Sequence, residues 1–493
     1  MAILTKSRFQ SGRQCLKRLW LEKHSPALAE TDPSQQARLD AGTHFGEVAR
    51  TLLGGSTGVL VDAAPHETNK ALAQTREFLA QPQSRRPMLF EAAFEHEDVL
   101  VRVDALQCKA QADHLIEVKS STSVKEEHLW DCAIQAWVLR GAGRPVKAIS
   151  VAHIDNTFVY KREGDYQGLL QKEALTEQIE ALLPEVPEIV AELKAVVAGP
   201  KPRIATGRHC SKPYPCPFFN HCHGAESHPE YPIEDIGSGK KLLERLRGAR
   251  IDDLRKAPLE WIEKPRARRI AQASRTAKPV VSMEFASQLD AIPFPRYYLD
   301  FETIAYAVPR WLGTKPWKNI PFQFSCHVEQ SDGSLEHRQF LDLSGRDPRV
   351  DFVDALLAAA GKTGPIIVWN QSFEAGRVCE LAEAFPEQAA ALLGLTKRMV
   401  DLLPIYKENY YHRDMHGSWS IKSVLPTVAP DLDYATLEIC DGGMAQDAYA
   451  RAIAADTNDA EREAIRRNLL EYCERDTWAM VRLARWRPEK AKR

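Results

Sequence analysis

Between residues 88 and 120 three short apolar runs follow one another almost without a break: "MLFEAAFE" (88–95), "DVLVRVDAL" (98–106) and "DHLIEVKS" (113–120). Their length, β-branched content and turn-sized gaps predict an antiparallel meander. Helical apolar spacing over residues 34–53 precedes it. "EEHLWDCAIQAWVLRGAG" returns to helical spacing and stops on Gly, and "VKAISVAHI" (146–154) predicts a further strand. Residues 1–225 thus read helix, three strands, helix, strand.

A second core is predicted over residues 286–493. "RYYLDFETIAY", "FQFSCHVEQ" and "HRQFLDL" read as strands, followed by a helix (349–360), the strand "PIIVWN" (365–370), a helix (374–385) and a long helix (about 459–485). Such an order opens a mixed α/β sheet. Residues 226–285 differ from both. The stretch 240–278 holds 13 Lys and Arg against five Asp and Glu, with short helical repeats. It reads either as a DNA-contacting helical connector, such as a helix-hairpin-helix, or as a solvated helical linker. The predicted fold class is α/β: two α/β cores joined by a basic helical connector.

Composition adds exclusions. The chain has 493 residues, 44% of them hydrophobic and 27% charged, with a formal net charge of −2. It is too long for one core and too apolar for disorder. The charge balance makes no global case for a nucleic-acid partner, so any basic surface must be local. No apolar run is long enough to span a membrane, and the charged start does not fit a signal peptide. A cytoplasmic location is expected, where clustered cysteines read better as metal ligands than as disulfides.

In the first core, Asp104 ends "VRVDAL", and Glu117 and Lys119 lie two apart in "IEVKS". Alternation along a strand points Glu117 and Lys119 the same way, and a hairpin partner brings Asp104 to the same edge. Two carboxylates suit a hard cation such as Mg²⁺ or Mn²⁺, and an adjacent lysine can stabilise charge on a phosphate. The same pattern arises by chance on half-exposed strands. Together with the element order, these residues resemble the RecB-type branch of the PD-(D/E)XK nucleases. That resemblance implies a restriction-endonuclease-like core and metal ligation by Asp104 and Glu117, with Lys119 catalytic. It adds Gln135 of "AIQAW" as a catalytic residue and His44 of "AGTHFGEVAR" as a metal ligand. Glu91 is a further acidic candidate, or an edge-strand charge.

"RHCSKPYPCPFFNHCHG" (208–224) offers Cys210, Cys216 and Cys222, three thiols where a metal centre wants four. Cys15 lies before the core, and this one-plus-three layout resembles the iron–sulfur branch of the same nucleases (AddB-type and CRISPR-associated RecB-like). The resemblance implies a [4Fe–4S] cluster held by Cys15, Cys210, Cys216 and Cys222, stapling the chain start to the far side of the core. The spacing of the last three departs from the usual pattern, and four thiolates also make a structural zinc site, with His209, His221 and His223 as further donors. The other six cysteines (108, 132, 326, 379, 440, 473) read as small buried side chains.

The second core carries its own acids. "YYLDFET" places Asp300 and Glu302 on one face of an apolar strand, where two acids are rare unless paired or bound to a cation. "LLEYCERDTW" places Tyr472 and Asp476 one helical turn apart, and "VWNQSFEAGRV" supplies Asn370 and Glu374. These residues resemble the DEDDy branch of the DnaQ-like exonucleases, which have an RNase H-like fold. The resemblance implies metal ligation by Asp300, Glu302, Glu374 and Asp476, a catalytic Tyr472, and 3′→5′ polarity. Glu374 stands where that family usually has Asp, so Asp401 is the reserve ligand. Lys422 in "GSWSIKSVLP" is a candidate phosphate contact, or a surface lysine.

The expected function is a metal-dependent nuclease with two sites, acting on DNA, single-stranded or with ends, in repair, recombination or defence. The alternatives are a nucleic-acid-binding and end-processing platform with one or both cores inert, and an RNA exonuclease. No GxxxxGK[ST] motif occurs, so helicase coupling would require another chain.

Overall fold

The structure, a computed structural model, describes residues 4–30, 33–82, 87–237 and 239–488. The chain is mixed α/β and divides into two compact units. One comprises residues 1–227 with 306–318; the other comprises 228–305 with 319–493. Among the described residues no helix is long and apolar enough to cross a membrane.

In the first unit the strands are β1 (Leu4–Thr5), β2 (Gly58–Leu60), β3 (Met88–His96), β4 (Val99–Gln107), β5 (Asp113–Lys119), β6 (Val146–Ile154) and β7 (Leu170–Ala174). They form one sheet in the order β2-β3-β4-β5-β6-β7, with β1 added to β4. The meander β3-β4-β5 is antiparallel, and β5 pairs parallel with β6. Four helices matter for the site: α1 (Lys6–Gln14), α2 (Leu16–His24), α3 (Pro33–Gly54) and α4 (Glu126–Gly141). The crossover helix α4 is buried along most of its length, including Ile134, Val138 and Leu139. Phe45, Val48 and Leu52 of α3 pack with Val118 and Ile154 instead, joined by Ala307 and Val308 of the inserted segment.

Pairing defects open this sheet at one point. The β3–β4 ladder pairs Phe90 with Ala105 and Ala92 with Val103, skipping Glu91, whose φ is 56°. A non-glycine residue with positive φ inside a strand marks a bulge. The β4–β5 ladder stops at Ala105–Ile116, one residue short of Asp104 and Glu117. Beyond it, the Val118 N–H donates to the Asp104 carboxylate at 2.7 Å.

In the second unit, α5 (Lys240–Gly248) and α6 (Pro265–Thr276) come first. Leu246, Ile270 and Ala271 are buried, and Arg245 lies over the Trp261 ring. Arg255 pairs with Asp253 and Glu230, and Arg269 donates to the Lys407 carbonyl. The basic stretch is therefore packed structure, and several of its cations have internal partners. β8 (Val280–Val281) follows and pairs with β14 (Tyr410–Tyr411).

The main sheet of this unit has β9 (Arg296–Ile304), β10 (Ile320–Glu329), β11 (Leu335–Leu341), β12 (Ile366–Val368) and β13 (Met399–Asp401), in the order β11-β10-β9-β12-β13. β10 is antiparallel to β9 and β11, and β12 runs parallel to β9 and β13. Strict alternation divides the two faces. Tyr297, Leu299 and Phe301 join Phe324, Cys326 and Val328 in an apolar core with Phe352 and Leu381. The opposite face presents Asp300 and Glu302 on β9 beside Gln323, Ser325 and His327 on β10. Across it lies the long helix α9 (Asp459–Arg485), tied down where Gln323 donates to the Leu469 carbonyl at 2.7 Å and Ser325 bonds Thr477 at 2.6 Å. The remaining site helices are α7 (Gln371–Ala384) and α8 (Ile421–Val428).

Candidate functional sites

Three constellations occupy the two units. In the first unit, the gap where β4 and β5 part gathers Asp104, Glu117 and Lys119. Glu117 is wholly buried, yet every side of it is matched. Lys119 Nζ lies 2.7 Å from its Oε1, Lys6 Nζ 3.0 Å from the same oxygen, and Gln135 donates to Oε2 at 2.6 Å. Lys119 also meets Asp131 at 2.6 Å, and Gln10 holds the other Asp131 oxygen at 2.9 Å. Lys6 lies 3.7 Å from Asp104, so its ammonium bridges the two carboxylates.

The electrostatics follow. Burial alone would raise the Glu117 carboxyl, but Lys119 and Lys6 overcome it and hold Glu117 below the usual carboxylate range. Asp104 moves the other way, to about 7, through desolvation and then the negative Glu117, against Lys6 and Lys119. Lys6 and Gln10 had no sequence signal, because their bonds to Glu117 and Asp131 join residues 111 and 121 positions apart. His44 does not join the network. It is exposed on α3 and faces Glu47 at 3.7 Å, on a helix packed against Val118 and not against Glu117. Glu91 occupies the bulge in β3.

The second constellation is the cysteine set. Cys15, Cys210, Cys216 and Cys222 all line one small cavity, together with Leu21, Phe218 and Phe219 and with Lys17, Arg18 and His209. The turn is shaped by Cys216 N–H donating to the Cys210 carbonyl at 2.8 Å. Gln14 donates to the carbonyls of His209 and Tyr214, and Trp20 to that of Gly199. These bonds bring Cys15, at the α1–α2 junction, to the distant triplet. Burial raises the thiols of Cys15 and Cys216. A four-thiol donor set fits an iron–sulfur cluster or a zinc ion. His209 Nε2 lies 3.6 Å from Cys210 Sγ.

The third constellation is the acidic one of the second unit. Asp300, Glu302 and Cys473 each bring one ligand atom within 4.8 Å of the others. Asp476 accepts a 2.6 Å hydrogen bond from the Tyr434 hydroxyl. Lys422 Nζ lies 3.1 Å from the Tyr472 hydroxyl and donates to the Cys440 carbonyl at 2.6 Å. Glu374 is buried at the start of α7, and its Oε2 has no hydrogen-bond partner. Asp401 accepts the N–H groups of Asn370, Gln371 and Leu403 at 2.9–3.0 Å. Asp401 thus serves as a cap, and Glu374 is the acid with an uncommitted oxygen.

Here the carboxylates repel one another. Burial, then Asp476, push Asp300 and Glu302 well above the usual range. Asp476 is raised by burial to about 6, restrained by the Tyr434 hydrogen bond and Lys422. Burial and then Asp401 lift Glu374 to about 8. The Tyr472 phenol is raised by burial and Asp476. Cys473, read from sequence as a buried small residue, is buried but belongs to the site. Its position beside Tyr472 was the available signal. Tyr434 opens a short 3-10 turn (Tyr434–Thr436) and carried no sequence pattern.

Residues 297–420 match a family described as "Domain of unknown function (DUF2779)". That span includes Asp300, Glu302 and Glu374 but stops short of α9. The chain is similar to "Uncharacterized protein MG366" of Mycoplasma genitalium, 23% identical over 222 residues, 41% of this chain and 33% of that protein. Its homolog in Mycoplasma pneumoniae is 26% identical over 220 residues, again 41% of this chain and 33% of the relative. "Uncharacterized protein UU173" of Ureaplasma parvum is 26% identical over 209 residues, 38% of this chain and 30% of that protein. The chain spans about a third of the length of these relatives.

Proposed function

We propose that the chain is a divalent-metal-dependent nuclease that hydrolyses phosphodiester bonds in DNA. The observation that carries this reading is the acidic cluster of the second unit. Four carboxylates lie together, Glu302, Glu374 and Asp476 buried and Asp300 partly so, with their affinities for protons raised. Such a cluster is stable only with protons or cations to neutralise it. The strand order β11-β10-β9-β12-β13 with β10 antiparallel supports an RNase H-like core and a DnaQ-like, 3′→5′ exonuclease.

Asp300, Glu302 and Asp476, with Glu374, would hold Mg²⁺ or Mn²⁺. When bound, such ions activate a water and stabilise charge on the phosphate and the leaving oxygen. The chain's own residues then have defined tasks. The Tyr472 hydroxyl, held by Lys422, orients the attacking water. Tyr434 fixes the rotamer of Asp476 and keeps it available as an anion. Lys422 places a positive charge beside the site.

The first unit supports a PD-(D/E)XK reading through its parted strands, Glu117, Lys119, Gln135 and Asp104. One observation favours a second reading for this unit, a nucleic-acid-binding platform: Lys6 occupies the space between the two carboxylates. The cysteine cavity would hold a [4Fe–4S] cluster, or zinc in its place, joining α1 and α2 to the segment after the core.

Anaerobically purified protein is given end-labelled single-stranded DNA, and matched RNA, with Mg²⁺ or Mn²⁺. Metal-dependent cleavage lost in Asp300→Ala supports the second site. A distinct product ladder lost in Lys119→Ala assigns activity to the first unit. Wild-type protein silent on both substrates would overturn the nuclease reading. The absorbance of the purified protein separates iron–sulfur from colourless zinc.

A further inference from the structure

On the polar face of the second sheet, one strand away from the acids, lies a group of different chemistry. His327 on β10, His337 on β11 and Glu474 on α9 each bring one ligand atom within 4.8 Å of the other two. We propose that these three side chains bind one divalent transition-metal ion of the zinc class, at a site separate from the carboxylate cluster.

The hydrogen bonds around the group admit one self-consistent placement of its protons. The Thr477 hydroxyl donates to the Glu474 backbone carbonyl at 3.1 Å. With that proton on the carbonyl, Thr477 Oγ1 accepts from His327 Nδ1 at 2.8 Å and from the Ser325 hydroxyl at 2.6 Å. With its proton so used, Ser325 Oγ accepts from His337 Nε2 at 2.9 Å. Each ring thus carries its proton on the nitrogen turned to a hydroxyl, leaving His327 Nε2 and His337 Nδ1 as lone pairs. His337 Nδ1 lies 3.7 Å from Glu474 Oε1, too far for a hydrogen bond and close enough to share a cation.

This is the usual setting of a metal-ligating histidine, whose second nitrogen is oriented by an oxygen behind it. The rings are stacked with centroids 4.5 Å apart, which holds the two imidazoles next to each other. Two imidazoles and one carboxylate favour zinc-class ions, whereas Mg²⁺ prefers oxygen ligands. Burial grades outward from His327, 4% exposed, to Glu474, whose side chain is about half exposed at 49%. The group is therefore open to solvent on its Glu474 side. An ion here joins α9 to two strands, and α9 also carries Tyr472 and Asp476 on either side of Glu474.

The test titrates Co²⁺ alone into the full chain and follows its absorption, since thiolate ligation adds charge-transfer bands that imidazole and carboxylate do not. Wild type is compared with Glu474→Gln, His337→Ala and Thr477→Val, all with the cysteines intact. The expected result is one nitrogen/oxygen-ligated equivalent in wild type that persists when Asp300→Asn is added to disable the carboxylate cluster, distinct from any Co²⁺ held by that cluster. Thr477→Val should weaken it by about 10–100-fold, the scale for groups that orient a ligand. Glu474→Gln and His337→Ala, which each remove a ligand, should weaken it further. Glu474 is exposed enough that its substitution leaves the metal-free thermal midpoint unchanged. Wild type and Glu474→Gln binding the same number of equivalents with the same affinity would overturn the proposal.

Discussion

The two carboxylate clusters reach opposite electrostatic solutions. In the first unit, Glu117 is surrounded by Lys6, Lys119 and Gln135, so its negative charge is stabilised without any ion. In the second, four acids face one another with Lys422 as the countering lysine, and their proton affinities rise. Buried like charges need neutralising, and the source of the neutralising charge differs. The first cluster carries its counter-charges in the chain. The second must take them from solution, as protons or metal ions, and this makes it the better candidate for metal catalysis.

The largest expected effect separates the clusters by sign. Glu117→Gln leaves Lys6 and Lys119 facing a neutral group and should cost about 3–5 kcal/mol in urea unfolding, the scale for breaking a buried pair. Asp300→Asn removes a repelling charge and should raise the metal-free thermal midpoint, while lowering any Mg²⁺-dependent cleavage by about a thousandfold or more. If Asp300→Asn destabilises the metal-free chain as Glu117→Gln does, the contrast fails.

Lys6→Met should make the first cluster resemble the second. Without that ammonium, Asp104 and Glu117 repel with less compensation. Divalent-cation affinity at this unit should rise at least about tenfold, measured by Mn²⁺ titration of a variant that also carries Asp300→Asn. Unchanged affinity would mean that Lys6 is not what fills the gap.

pH sharpens the comparison further. Glu374 and Asp476 have folded-state values of about 8 and about 6, above the roughly 4 of an unfolded chain. Between about pH 4 and 8 the folded state holds protons that the unfolded state has released. Metal-free stability should therefore fall as pH rises through that window. Mg²⁺ should restore more of the thermal midpoint at pH 8 than at pH 5, and Asp300→Asn should flatten the slope. Glu117 has the reverse linkage: its contribution is present above about pH 4 and lost only in strong acid. A midpoint that rises from pH 5 to 8 without metal would contradict the assignment.

The smallest effect tests one hydrogen bond. Tyr434→Phe removes the donor that stabilises ionised Asp476, so Asp476 should bind its proton more tightly. Mn²⁺ affinity near pH 6 should weaken by about tenfold, given the 1.5–3 kcal/mol of a hydrogen bond to a charged group. The loss should shrink as pH rises. Equal weakening at all pH values would point to a structural role instead.

Much of this architecture was legible in the chain itself. The meander, α4 and α9 follow from the spacing of apolar residues: the strand expected at 146–154 and the helix at 459–485 have the observed bounds. Alternation on "YYLDFET" placed Asp300 and Glu302 on one face because a strand repeats every two residues, a purely local property. Local pattern could not supply what depends on folding back. It held no sign of Lys6 between two acids, of Asp401 engaged as a cap, or of His44 turned away from Glu117. Nor did it show residues 306–318 belonging with the first unit, or the basic stretch 240–278 packed into the second. Each of these depends on which distant segments become neighbours. The sequence thus determined which residue types and periodicities were available, and tertiary packing decided which charges meet.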